Sequence, residues 1–364
     1  MSQENTLHET LAAVIDPLTE WSLGDQGSLV CAEERDDEVR VTLDLPYPSL
    51  LGEAALRAAV EARVRTFTTK PPRLSFSQTV KAVPVPGKQK IPGVANLIAI
   101  ASGKGGVGKS TVTVNTAMAL QQAGARVGIL DCDLYGPSVP AMFGVEEQMV
   151  ANREKKLVPV DVYGIKMVSM GFLMARHQAL SWRGPMLHKM LSQFLFGVDW
   201  GTLDYLLLDL PPGTGDVQLS LTQLAPMAGA ALVTTPQKVA LRDVMRGLEM
   251  FKDVGVPVLG LVENMSYYAC PCCDERTYVF GRDGGKRLAK RYEIPFLGEV
   301  PMSRRVPSAL GSGEPLMLRA QTDAAEPGVA TLAAAFRDVS ARLIGRLVVA
   351  EPRFAVGGPD AMEV

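Results

Sequence analysis

The sequence predicts an α/β fold: a doubly wound parallel sheet with helices on both faces, preceded by a small α+β domain. Three observations predict it. From Asn96 onward, short apolar runs alternate with helical stretches, the rhythm of βαβ units. A glycine-rich turn follows the first of those runs and opens a helix. Upstream, a stretch rich in Pro, Gly and Lys separates this part from about eighty residues of different texture.

Residues 1–82 read as the small domain. Leu7 to Ile15 is a short apolar helix. Two strand-like runs follow, Ser28–Ala32 and Val39–Leu45, the second alternating as VRVTLDL. Glu53 to Val64 is Ala-rich and helical, and Leu74 to Val83 is a further strand candidate. Residues 83–94 are expected to be a linker, because the prolines of AVPVPGKQKIPG block both helix and sheet. Residues 95–351 then form the main domain, with NLIAIAS, RVGILD, YLLLDL, AALVTT and PVLGLVEN as buried strands. The helix from Lys238 to Val254 stops at Gly255, with Pro257 behind it. A last helix covers Gly328 to Leu347, and residues 352–364 read as a frayed tail.

Bulk properties bound the function. A chain of 364 residues suits two domains of unequal size, and 47% hydrophobic residues suffice for a sizeable core. The formal net charge of −2 offers no basic field for nucleic acid. No apolar run reaches the roughly eighteen residues a bilayer span needs. The start, MSQENTLHETLAAV, lacks the basic and apolar regions of a secretory signal. The five cysteines are odd in number, and Cys270, Cys272 and Cys273 are clustered, which fits a reducing compartment better than a disulfide framework. A cytoplasmic protein with neither nucleic acid nor membrane as partner is the expectation.

The glycine-rich turn carries the chemistry. Gly103, Gly108, Lys109 and Ser110 meet the pattern G-x-x-x-x-G-K-[ST] between the strand NLIAIA and the helix TVTVNTAMALQQA. Average composition would produce that pattern in roughly 1% of chains this long, and the strand-loop-helix context makes chance a poorer account still. The glycines let successive N–H groups turn inward as an anion nest, and the helix dipole adds to it. Lys109 is placed to neutralise β- and γ-phosphate, and the Ser110 hydroxyl to ligate Mg²⁺. ATP with Mg²⁺ is the expected ligand of this P-loop NTPase domain. Lys104 is a second lysine inside the loop.

Two strand ends supply carboxylates. Asp131-Cys132-Asp133 closes RVGILD, and Asp209 closes YLLLD ahead of LPPGTGD. In a doubly wound sheet the carboxyl ends of the strands line the ligand crevice. Asp209 suits a position that holds Mg²⁺ through water, and Gly213 can offer its N–H to a γ-phosphate. Cys132 reads as a small packed residue and Cys31 as buried within a strand. Cys270 and Cys273 have C-x-x-C spacing, which grips one soft metal centre with two thiolates. Four ligands are needed by a cubane or a zinc ion, and a two-fold contact between copies brings the same loop twice to one axis. A redox pair is disfavoured by Asp274 and Glu275, since acidic neighbours oppose a thiolate. Zinc and an iron–sulfur cluster both remain open from spacing alone.

The loop KGGVGKST resembles the deviant Walker A of the MinD, ParA, ArsA and nitrogenase iron-protein superfamily. That likeness implies that Lys104 reaches across a two-fold dimer to the partner's nucleotide. GKGGVGKSTVTVN, DCDLYGPSVP, WRGP, DYLLLDLPPGTGD, TTPQKVAL, GVPVLGLVENMSYYACPCC and VPMSRRV together resemble the Mrp/ApbC iron–sulfur cluster carriers, from about Asn96 to about Pro315. The resemblance implies a phosphate site of Gly103, Lys104, Gly105, Gly106, Val107, Gly108, Lys109, Ser110 and Thr111, with Lys104, Lys109, Asp133 and Asp209 in catalytic roles. Asp133 would orient the attacking water. Asn264 would contact adenine, helped by backbone near Pro301 to Arg304. Cys270 and Cys273 would hold a [4Fe-4S] cluster bridging a homodimer, for transfer to apo iron–sulfur proteins after receipt from scaffold proteins. ATP hydrolysis would be slow and switch-like.

The front segment is similar to the small iron–sulfur-assembly domain that precedes many such ATPases. It departs from that pattern in LDLPYPSLLGEAAL, where the usual reactive cysteine is missing, so docking is its implied task. Two other readings stand beside the carrier. A MinD- or ParA-like positioning ATPase would need a membrane helix or a basic face, and the C-terminal stretch RLIGRLVVAEPRFAVGGPDAMEV is broken by Pro352. A zinc metallochaperone would use the same cysteine pair.

Overall fold

The computed structural model describes residues 3–133, 136–146, 150–172, 184–270, 273, 275–303, 312–322 and 328–350. The front of the chain builds helix α1 (Gln3–Ala12), the one-turn helix α2 (Leu23–Gln26), strands β1 (Leu29–Glu34) and β2 (Val39–Leu45), helix α3 (Glu53–Phe67) and strand β3 (Pro72–Gln78). The strands form one sheet in the order β1-β2-β3, with β2 antiparallel to β1 and parallel to β3. The alternation of VRVTLDL turns Val39, Val41, Leu43 and Leu45 into the core. Helix α3 buries Leu56, Val60 and Val64, spaced one turn apart.

Three expectations need correction here. The helix expected over Leu7–Ile15 runs instead from Gln3 to Ala12, and Ile15 pairs with Ser22 as an isolated bridge. The strand expected over Leu74–Val83 starts at Pro72 and stops at Gln78. Its partner β2 ends at Leu45, just before Pro46, so the ladder closes on the pair Leu45 and Gln78. Cys31 is half-buried rather than buried. It sits on an edge strand where the register slips between Leu29 and Cys31, and the slip turns the side chain out of the core.

The main sheet and its helices follow in chain order: β4 (Val94–Ser102), α4 (Lys109–Gln122), β5 (Val127–Asp131), α5 (Val139–Met142), β6 (Val150–Ala151), β7 (Leu157–Val158), β8 (Val160–Val162), β9 (Ile165–Ser169), α6 (Gly184–Phe196), β10 (Leu203–Asp209), α7 (Asp216–Leu224), β11 (Met227–Thr234), α8 (Lys238–Asp253), β12 (Val258–Ala269), β13 (Arg276–Thr277), α9 (Gly284–Arg291), β14 (Phe296–Met302), α10 (Leu316–Thr322) and α11 (Val329–Val348). Strand order across the sheet is β14-β12-β11-β4-β10-β5-β9-β8, and β13 folds back antiparallel on the end of β12. All neighbours are parallel except β8 against β9.

Both faces of the sheet are covered, which is why its strands are apolar on both sides. Ile98 and Ile100 of β4 join one cluster with Val112 and Leu120 of α4 and Phe336 and Leu343 of α11. Leu97, Ala99 and Ala101 of the same strand join the opposite cluster, with Leu191 of α6 and Val244 and Leu248 of α8.

The first cluster does not stop at the main domain. Leu7, Val41 and Leu56 of the small domain belong to it as well. Helix α11 runs against the small domain so closely that a Cβ on Gly345 would lie 2.4 Å from the Leu18 carbonyl oxygen. The expected linker has neither helix nor strand up to Gly93, with β4 taking over its last residue Val94, yet it is held in place. Asn96, buried at the start of β4, accepts a hydrogen bond from the Val83 N–H at 2.9 Å and donates to the Lys81 carbonyl at 3.0 Å. No helix among the described residues is long and apolar enough to cross a membrane.

Candidate nucleotide site and cysteine hairpin

Strand β4 ends at Ser102 between β11 and β10, and the chain then enters the glycine-rich loop. Residue 103 must be glycine for packing: a Cβ there would lie 2.1 Å from the Asp243 backbone of α8. Gly106 and Gly108 adopt φ of +81° and +82°, the left-handed region that lets the loop curl back on itself. Helix α4 begins at Lys109, so its first free N–H groups face the loop. Gly105, Gly106 and half-buried Lys104 leave the outer side of the loop open. Such a turn fits a chain of phosphates and leaves no room for a bulkier backbone.

Asp209 lies at the carboxyl end of β10, in register with Ile100 of β4 and Asp131 of β5. Its side chain is fully buried and accepts three hydrogen bonds from α4. Lys109 Nζ and Ser110 Oγ both donate to Oδ2 at 2.6 Å, and Thr113 Oγ1 donates to Oδ1 at 2.5 Å. Lys109 is therefore turned inward as half of a buried ion pair. The hydroxyl and the carboxylate offer the oxygen ligands that Mg²⁺ takes, and the lysine beside them carries the positive charge that suits a phosphate. Thr113 escaped the sequence reading, since it lies beyond the motif. Its position one helical turn after Lys109 is the signal that could have found it.

The two carboxylates of Asp131-Cys132-Asp133 have different surroundings. Asp131 is fully buried and accepts from the Asp133 N–H at 3.1 Å, the Val139 N–H at 3.3 Å and Ser169 Oγ at 3.0 Å. Burial first, and the Asp209 charge second, push its carboxyl up to about 7. Asp133 is half-buried, and its Oδ1 accepts the Gly136 N–H at 3.2 Å. Cys132 is fully buried, as its place between these residues predicted. The Gly213 N–H donates to the Ser102 carbonyl at 2.9 Å, which fastens the loop after β10 to the end of β4.

Asn264 is buried on β12, and its Nδ2 donates to the Val107 carbonyl of the loop at 2.8 Å. A Cβ on Gly108 would lie 2.2 Å from that same nitrogen. The backbone at Pro301 and Met302 continues β14 beside β12, whereas Arg304 lies outside the described residues. Six residues beyond Asn264, Cys270 closes a hairpin by donating its N–H to the Glu275 carbonyl at 3.0 Å. Tyr268 pairs with Thr277 and Ala269 with Arg276. The Arg276 guanidinium lies 4.4 Å from the Tyr267 ring centroid, which stiffens the base of the hairpin. Cys270 is half-buried, Cys273 is exposed near the tip, and Cys272 lies outside the described residues. Among the described residues no group of three or more His, Cys, Asp or Glu side chains could hold a metal ion.

The structure thus gathers Lys109, Ser110, Thr113, Asp209 and Asn264 at one loop, and places Cys270 and Cys273 at the far end of the strand that carries Asn264. Residues 93–337 match the ParA group described as NUBPL iron-transfer P-loop NTPase. The chain is 41% identical over 351 residues to an iron–sulfur cluster carrier protein of Deinococcus radiodurans, covering 95% of this chain and 96% of the relative. It is 46% identical to the iron–sulfur cluster transfer protein NUBPL of Dictyostelium discoideum, over 72% of this chain and 80% of that one. Among solved structures it resembles a nucleotide-binding protein of Archaeoglobus fulgidus in complex with ADP, at 41% identity and a TM-score of 0.56, over 62% of this chain and 88% of that one. MinD of Pyrococcus horikoshii with Mg-ADP, at 21% identity and a TM-score of 0.50, shares the fold over 67% of this chain and 94% of its own. On the length of these matches and their identity, the chain belongs to the NUBPL iron-transfer P-loop NTPase family.

Proposed function

We propose that this protein is an ATP-hydrolysing carrier that holds an iron–sulfur cluster between two copies of the chain and delivers it to apo-proteins. The observation that carries the reading is that one strand, β12, joins the two sites. Asn264 touches the phosphate loop, and the same strand runs on to Cys270.

In this reading the loop from Gly103 to Thr111 binds the phosphates, and Lys109 exchanges its Asp209 partner for phosphate oxygens. Ser110 and Asp209 would hold Mg²⁺, which when bound neutralises charge on the phosphates. Asp133 orients the water that attacks the γ-phosphorus, and the bond to the ADP oxygen breaks. Lys104 reaches the nucleotide of the second copy. The cargo is a [4Fe-4S] cluster held by Cys270 and Cys273 of both copies, since a cubane takes four thiolates and each chain offers a C-x-x-C pair.

The test is anaerobic reconstitution with iron and sulfide, followed by incubation with an apo iron–sulfur enzyme. The reading predicts a broad visible absorbance on the carrier and activation of the client that depends on added Mg-ATP. Zinc retained in place of iron, with no absorbance, would instead make the protein a zinc carrier.

A further inference from the structure

The path between the nucleotide loop and the cysteine hairpin contains an irregularity that the overall fold does not require. Met265, next to Asn264, is a non-glycine residue with φ of +55° in the middle of a twelve-residue strand. Left-handed backbone at such a residue is strained and persists where its surroundings enforce it. Here they do. The register of β12 against β14 jumps between Asn264 and Tyr268, so Met265 forms the bend of a bulge. Ser266 Oγ donates to Glu263 Oε1 at 2.6 Å, which clasps the bulge across its two ends. The other Glu263 oxygen accepts the Gly285 N–H at the start of α9.

Both residues of the bulge face the phosphate loop. Asn264 holds the Val107 carbonyl, and the Met265 methyl lies 3.7 Å from where a Gly108 Cβ would stand. On the far side the strand is stiff. The ladder to β13, the Tyr267 and Tyr278 rings with centroids 6.1 Å apart, and Arg276 over Tyr267 bind the hairpin into one piece. A strained, clasped joint therefore lies between the phosphate loop and the braced hairpin. Five residues separate Asn264 from Cys270, a path of at most roughly 20 Å.

We propose that the Asn264–Met265 bulge is the joint through which the nucleotide loop repositions the cysteine hairpin, with Asn264 as the positioning residue. The inference rests on the reading of the loop as a nucleotide site and of the hairpin as the cargo site. Any ligand that shifts the Val107 carbonyl or competes for the Asn264 amide moves the bulge. The stiff hairpin then passes that movement to Cys270. Coupling of this kind needs two arrangements of the bulge that the ligand distinguishes.

Thiol labelling tests this on the full-length, cluster-free protein. The maleimide labelling rate of the 270–273 peptide is followed by mass spectrometry, with and without a non-hydrolysable ATP analogue and Mg²⁺. Cys31, on the small domain, serves as the internal control. Analogue binding is measured separately by fluorescence. Wild type should change its 270–273 rate about fivefold or more on binding, with Cys31 unchanged. Met265→Gly relieves the strain but also removes the methyl that lies against the loop, so it is read at saturating analogue, where its rate ratio should collapse toward one. Ser266→Ala, which opens the clasp away from both sites, should bind the analogue normally and lose the ratio likewise. Asn264→Ala at saturating analogue should also lose the ratio. A wild-type ratio retained in both Met265→Gly and Ser266→Ala would overturn the joint, as would a wild-type rate indifferent to bound analogue. Failure of the wild type to bind the analogue at all would overturn the nucleotide reading itself.

Discussion

Asp209 concentrates the chemistry of the loop, because three donors of α4 converge on one buried carboxylate. Removing Lys109 does two separable things. It deletes the charge that would meet phosphate, and it strands a buried anion, which costs about 3–5 kcal/mol. Lys109→Ala is therefore expected to lose nucleotide binding and to unfold at markedly lower urea. Lys109→Met with Asp209→Asn should recover much of the stability, since no buried charge is left alone, and should still fail to bind. Equilibrium unfolding beside a fluorescent-nucleotide titration checks both halves. A double variant as unstable as Lys109→Ala would show that the ion pair is not the cause.

Asp131 makes a prediction of opposite sign to the usual one for a carboxylate. Unfolded, it titrates near 3.9, whereas burial and Asp209 hold it at about 7 in the folded chain. Between those values the folded protein binds the extra proton, so this group's contribution to stability falls as pH rises through the window and is constant above it. Melting temperatures in EDTA from pH 4.5 to 8 should show wild type losing ground to Asp131→Asn up to neutral pH and running parallel beyond. Curves parallel throughout would contradict the raised carboxyl.

At the scale of elements, α11 ties the two parts of the molecule together. Its Leu343 and Ile344 share a core with Leu7 and Leu56, and Gly345 passes against the Leu18 carbonyl. Gly345→Val has no space to occupy. It should cost about 1–3 kcal/mol, the usual penalty of overpacking, and should loosen the small domain from the main one. Limited proteolysis near residues 79–93 checks it: faster cleavage is expected, and an unchanged pattern would show that the contact holds nothing. The elements themselves were largely legible, because buried parallel strands announce themselves as apolar runs and the loop as a glycine pattern. The contacts that assemble the site were less so. Thr113 reaching Asp209, Asn264 reaching Val107 and Gly103 meeting α8 join residues far apart in sequence, where no local periodicity reports them. Cys31 misled for a related reason: apolar neighbours in a run do not reveal that the strand is an edge with a slipped register.

For the whole molecule, the proposed reading has β12 carry nucleotide and cargo on one strand, and has the two-thiolate hairpin draw its remaining ligands from a second copy. On the proposed reading, the front domain, fused to the main core and without a cysteine in LDLPYPSLLGEAAL, serves docking. The stoichiometry of cluster to chain is the quantity on which this account stands. Native mass spectrometry of anaerobically reconstituted protein measures it directly, with Cys270→Ala and Cys273→Ala in parallel. The account predicts two chains carrying one four-iron cluster in the wild type, and chains without cluster in either variant. A single chain carrying a complete cluster, or a Cys270→Ala variant that keeps one, would contradict it.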